Sequence, residues 1–287
     1  MALGKDGARP QQARCAVIFA ALCIFVLLVV LMFRRLCAAR YSRKEAALLV
    51  ALAGLQLGAA FSTAAFHALA LALALYVAAE AAARFVRVQT AHDIITLGFL
   101  LAAIQIVSPA GLVMTAIIVP ALALFFGAAG SHRKSTGLLV LLLFIPGITA
   151  LILFYLAREF HFDATAYVGG SLDRAFLPQT FDRANPRRNG LIDAAAMAAV
   201  AFPVWLMAVR SRASAMIAIF ASALIAAVIV AALMRRSYPV SAFLPSMAGL
   251  SILAFAEFNS QERRSKRAIA IASTSVFISC LCLAASV

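Results

Sequence analysis

The sequence predicts an all-α, polytopic transmembrane bundle of about ten spans with one short extramembrane loop region. Three observations predict it. First, 65% of the 287 residues are apolar and 13% are charged, where a soluble domain carries roughly 25% charged residues. Mean hydropathy is +1.00, leaving too little polar surface to coat a globule in water. Second, the apolar residues come in blocks near the length of about 20 that a helix needs to cross hydrocarbon. Third, the basic residues lie in short clusters between those blocks, where they meet anionic headgroups and set orientation. The net charge of +14 is therefore a membrane signature and implies no nucleic-acid partner.

After an N-terminal tail (1–14), the first block runs from Cys15 to Phe33. Its basic approach (Lys5, Arg9, Arg14) resembles a signal peptide. Its apolar stretch is longer than such a segment needs, and Arg34-Arg35 stands where small residues would mark cleavage, so it is expected to be retained. Residues 46–83 would form a helix of about 57 Å, too long for one crossing; a turn is predicted at Phe61-Ser62-Thr63, giving spans 46–61 and 64–83. Residues 94–129 are likewise divided, at Ser108-Pro109-Ala110-Gly111, into 94–108 and 110–129. The remaining spans are predicted at 137–157, 191–209, 214–234, 239–258 and 268–286. Transmembrane helices 1–6 thus occupy 15–157, and helices 7–10 occupy 191–287.

Ten spans put fifteen basic residues on one side and ten on the other; fusing 46–83 into one span removes that bias. The richer side is cytosolic by the positive-inside rule. The predicted location is a bacterial inner membrane, with both termini and the 158–190 loop in the periplasm. Arg outnumbers Lys 21 to 4, which fits a high-GC bacterial genome.

Ionisable residues inside the spans are few. Glu80 is expected to pair with Arg84 one turn on, and Glu257 with Arg263 and Arg264. Asp193 sits at the mouth of span 7, where the helix dipole favours a carboxylate. His67, Gln105 and Asp193 are the polar intramembrane candidates, for interhelical hydrogen bonds or for lining a transport cavity. Gly54 and Gly58 form a GxxxG, read as an intramolecular packing contact. Cys15, Cys23, Cys37, Cys280 and Cys282 lie in or beside apolar blocks without a CxxC or a His partner, so neither a disulfide framework nor a metal site is expected. No cofactor is implied.

The loop 158–190 interleaves Phe160, Phe162, Tyr167, Phe176 and Phe181 with Arg158, Arg174, Arg183, Arg187 and Arg188. Aromatic rings favour the headgroup layer and guanidinium groups bind phosphate bidentately. These five arginines are the lipid-phosphate candidates. Asp163, Asp173 and Asp182 are carboxylates able to act as general bases. Mutual pairing of these charges into a structural cap accounts for the same residues.

In residues 34–157, the basic turn RRLCAARYSRKEAALLVAL leads to the hairpin AAFSTAAFHALALALALYV, followed by ITLGFLLAAIQIVSPAGLVMTAIIVPALALFF. This order resembles the middle of a GT-C fold membrane glycosyltransferase, the class that uses polyprenyl-phosphate sugar donors. The resemblance implies glycosyl transfer from a lipid-linked donor in cell-envelope assembly, or an accessory role in it. It also implies an acidic catalytic residue in a first periplasmic loop. This chain departs there: its tail holds only Asp6, and Phe61, Ser62 and Thr63 stand at the next periplasmic turn. Two other readings stay open. One is a non-catalytic subunit of a larger membrane complex, and the other a transporter or flippase of a lipid-linked substrate.

Overall fold

A computed structural model describes residues 8–58, 65–88, 91–107, 110–129, 144–152, 155, 186–208, 211–233, 240–262, 269–271, 273–274 and 277–278. The described regular structure is all-helical. The elements are α1 (Ala8–Ala38), α2 (Arg43–Gly58), α3 (Ala65–Val88), α4 (Ala91–Val107), α5 (Ala110–Ala129), α6 (Pro186–Ala208), α7 (Arg212–Leu233) and α8 (Val240–Glu262). Residues 144–152 are also helical. Helices α2 and α3 are separate elements, as are α4 and α5; the expected turn residues Phe61, Ser62, Thr63, Ser108 and Pro109 lie outside the described residues.

Among the described residues, three helical stretches are long and apolar enough to cross a membrane: Cys15–Ala38, Ala68–Arg87 and Arg212–Val230. Shorter apolar stretches run over His92–Val107, Gly111–Phe125, Met197–Met207 and Phe243–Asn259. Among the described residues, then, three helices reach membrane-crossing length where about ten spans were expected.

Packing divides the helices into inner and outer ones. Every described side chain from Phe243 to Asn259 of α8 is buried, and α8 packs against α1, α2, α3, α6 and α7. On α3, a run of small residues (Ala68, Ala72, Ala78, Ala79, Ala82) is buried, which lets α1, α4, α7 and α8 approach it closely. By contrast, α1 buries one stripe, Ala21, Leu28, Met32 and Leu36, and exposes Val17, Ile18, Phe19, Leu22, Val26, Leu27 and Val30. Such an apolar outer face is costly in water and costs nothing against lipid tails.

Three local devices set the turns. The α4–α5 hairpin is closed by Gly111: a Cβ there would overlap the Ile104 carbonyl and lie 3.0 Å from the Gln105 amide nitrogen. Gln105 Nε2 donates to Thr115 Oγ1 at 2.9 Å across the same hairpin. Between α1 and α2, Arg40 adopts φ 68°. The Tyr41 amide donates to the Leu36 carbonyl at 3.2 Å and the Arg40 amide to the Cys37 carbonyl at 3.1 Å. That is a Schellman closure with an arginine at the left-handed position usually given to glycine. Ser42 then opens α2 with a capping box. Its Oγ accepts from the Glu45 amide at 3.3 Å, and its own amide donates to Glu45 Oε2 at 3.0 Å.

The Gly54–Gly58 pair is not the packing contact expected of it. A Cβ added at either glycine meets nothing within 4 Å. The helix is rotated so that Ala46, Leu49, Val50, Ala53, Gln56 and Leu57 face inward instead. A small-xxx-small spacing marks one face of a helix but does not choose which face is turned to the core.

Candidate functional site

One end of the bundle gathers the charges. The last turns of α1 and α3, the first turn of α4 and the C-terminal part of α8 meet there, because interhelical contacts join Arg35, Glu80, Arg84, Arg87, Asp93 and Glu257. Arg35 Nη2 donates to Glu257 Oε1, and Arg87 Nη2 lies 3.1 Å from the same oxygen. Arg35 Nε is 3.8 Å from Glu80 Oε1. Arg84 Nε is 3.2 Å from Asp93 Oδ1, joining α3 to α4. Among the described residues three guanidinium groups thus face three carboxylates, and their formal charges cancel.

Position along the helices explains the arrangement. Arginines in the last turns of α1 and α3 and an aspartate in the first turn of α4 each sit at the helix end their sign favours. Glu257 breaks that rule, lying near the carboxyl end of α8 with its side chain 3% exposed. Burial and the dipole both disfavour its charge there, and two guanidinium groups offset both. Neutral bonds brace the same end. Asn259 Nδ2 donates to the Ala39 carbonyl at 2.9 Å, and the Tyr41 hydroxyl donates to the Phe255 carbonyl at 3.1 Å. Burial, and secondarily the nearby Glu45 carboxylate, push the Tyr41 phenol up from its ordinary value, so it remains a donor at any physiological pH.

One sequence expectation changes here. Glu80 pairs with Arg35 of α1 rather than with Arg84, which turns to Asp93. A helix-spaced pair is worth only about 0.2–0.5 kcal/mol, so interhelical geometry overrides it. Glu257 is held by arginines of α1 and α3; Arg263 and Arg264 lie outside the described residues. Arg35, Arg87, Asp93, Tyr41 and Asn259 were not singled out from sequence. The available signal was Glu257 and Asn259 together at the end of an otherwise apolar helix.

Of the polar intramembrane candidates, Gln105 is buried and engaged with Thr115, while its Oε1 has no partner. It serves the hairpin, one of the two roles expected of it. His67 and Asp193 lie on α3 and α6, and their side chains are outside the described set. Helix α6 begins at Pro186, a residue suited to a first helical position, so Arg187 and Arg188 belong to its first turn. Arg158, Arg174, Arg183, Asp163, Asp173 and Asp182 all lie outside the described residues. Among the described residues no group of three or more His, Cys, Asp or Glu is placed to hold a metal ion.

Compared with family models, with curated proteins and with solved structures, the chain matches none.

Proposed function

We propose that this chain is a ten-span bacterial inner-membrane protein of GT-C-like design that engages a lipid-linked sugar donor, in glycosyl transfer or as an accessory to it. The observation that carries the topology is the meeting of Glu257 with Arg35 and Arg87. If each helix crosses once, α1 and α3 run toward the charged end, α2 and α4 away from it, and α5 toward it. Helix α8 also ends there, so α7 runs away and α6 runs toward it. The chain must then return across the membrane between Ala129 and Pro186. That supports a sixth span at 137–157, within which residues 144–152 are helical.

The same parity sets the segment after residue 157 opposite the charged end. With the charged end cytosolic, the arginines and aromatics of 158–190 face the periplasm, where lipid-linked donors are used by the enzymes this chain resembles. A cysteine introduced at Tyr167 in a cysteine-free background should react with an impermeant maleimide from the periplasmic side; labelling only from the cytosol rejects the topology. Replacing Arg174, Arg183, Arg187 and Arg188 by Ala should abolish polyprenyl-phosphate binding, and unchanged binding rejects the donor site.

A non-catalytic subunit is the second reading, favoured by the neutrality of the charge cluster. The ionisable groups seen between helices are engaged with one another, as befits joints of a scaffold. Purification as a lone monomer with full transferase activity would remove it.

A further inference from the structure

The arginines at the charged end fall into two sets. Arg35, Arg84 and Arg87 each pair with a carboxylate of a neighbouring helix, although Arg84 and Arg87 are themselves exposed. Arg34, Arg40, Arg43 and Lys44, all around the α1–α2 turn, are exposed, and none has a carboxylate partner among the described residues. Glu45, the one acid of that turn, is already engaged by the Ser42 amide. Among the described residues, the turn therefore carries an excess of positive charge with no compensating carboxylate.

Its backbone is also held unusually firmly for a membrane-edge connection. The Ala39 carbonyl is fixed by Asn259 and the Tyr41 hydroxyl by Phe255, both in the buried stretch Phe243–Asn259 of α8. Between those two anchors Arg40 keeps a left-handed conformation, which costs a side-chain-bearing residue roughly 1–2 kcal/mol. A glycine would meet the backbone requirement without that cost. Strain retained at a charged residue in an over-determined turn points to a role for the charge. Further along the two helices that leave the turn, Val30 of α1 and Leu48 of α2 are exposed apolar side chains, available to an acyl chain below a bound headgroup.

We infer that the α1–α2 turn is a binding site for the phosphate headgroup of an anionic phospholipid, with Arg34, Arg40, Arg43 and Lys44 as its cations. The inference rests on the membrane-embedded reading of the chain and not on the sugar-donor reading, whose arginines lie in another segment. Preset turn geometry distinguishes such a site from diffuse attraction of loop charges to the leaflet. The shared chemistry is a phosphate monoanion, and the source committed to is phosphatidylglycerol in the bilayer.

The test is native mass spectrometry of the full chain in zwitterionic detergent, titrated with phosphatidylglycerol and with phosphatidylcholine. Phosphatidylglycerol should be retained preferentially, and retention by the wild-type chain should weaken steeply as salt rises. The variant R34Q/R40Q/R43Q/K44Q should bind at least about fiftyfold more weakly, taking each basic residue at a membrane surface as worth roughly fivefold. The control K5Q/R9Q/R14Q, which removes charge from the N-terminal tail, should change binding by less than about twofold. Equal losses in the two variants, or salt-independent retention by the wild type, overturn the site. Displacement by millimolar inorganic phosphate at constant ionic strength would assign the turn to a free anion and overturn the lipid source. Should the quadruple variant fail to fold, the wild-type salt and headgroup comparisons still decide.

Discussion

Substituting Glu257→Gln removes the one carboxylate shared by two guanidinium groups while keeping the side chain's shape. The carboxylate is buried, whereas the side chains of Arg35 and Arg87 are 21% and 43% exposed. Removing one partner of a fully buried pair costs about 3–5 kcal/mol. Arg87 can turn toward water, which brings its share down to the roughly 0.2–1 kcal/mol of exposed pairs. Arg35 keeps Glu80, but at 3.8 Å, too far for a strong hydrogen bond. The expected loss is therefore about 2–3 kcal/mol, below the fully buried range. Unfolding by sodium dodecyl sulfate in mild detergent, followed by helicity, measures it. Combining E257Q with R35Q should recover about 1–2 kcal/mol relative to the sum of the single changes, and combining it with R87Q should recover less. A Glu257→Gln stability within about 0.5 kcal/mol of the parent, in the range of ordinary surface substitutions, refutes the argument that this residue holds three helices together.

Gly111→Ala should destabilise by at least about 2 kcal/mol, since the new methyl must displace the Ile104 carbonyl and open the α4–α5 hairpin; the same unfolding measurement checks it. Gly54→Ala, with open space around it, should instead stabilise by about 0.5–1 kcal/mol through helix propensity. Arg40→Gly should raise stability by about 0.5–1 kcal/mol by relieving the left-handed turn while lowering phosphatidylglycerol retention, and a parallel change in both would contradict the opposition between strain and binding. The single tryptophan, Trp205, donates Nε1–H to Ser222 Oγ at 3.0 Å. Ser222→Ala should shift its emission and cost about 1 kcal/mol.

What could be read from the sequence was whatever depends on length along the chain. The turns before α3 and after α4 were legible because an apolar run of about twice the bilayer thickness has to fold back. Gly111 was legible as part of a break, although its close approach to Ile104 was not. Pairings across the bundle were beyond reach for a physical reason. Glu257 and Arg35 are separated by 222 positions, and no local rule selects a partner that distant. Glu80 and Arg84 illustrate the same failure at short range, since two residues spaced for a helical pair each meet a partner on another helix instead. Gly54 and Gly58 carried a motif without an orientation. The phosphate-binding reading of Arg158, Arg174 and Arg183 rests on composition alone, because their segment lies outside the described residues.

The place of α8 has a consequence for how the protein is made. It is the most enclosed helix, yet nearly everything it touches is synthesised before it. At the ribosome's pace of about 5–20 residues per second, Arg35 precedes its carboxylate by roughly 10–45 s. During that interval α1 and α3 bring basic groups to the membrane surface with no counter-ion from α8, and the channel that α8 will fill stays open to lipid. The earlier helices therefore wait without the element that packs against five of them, and those contacts form only when α8 arrives.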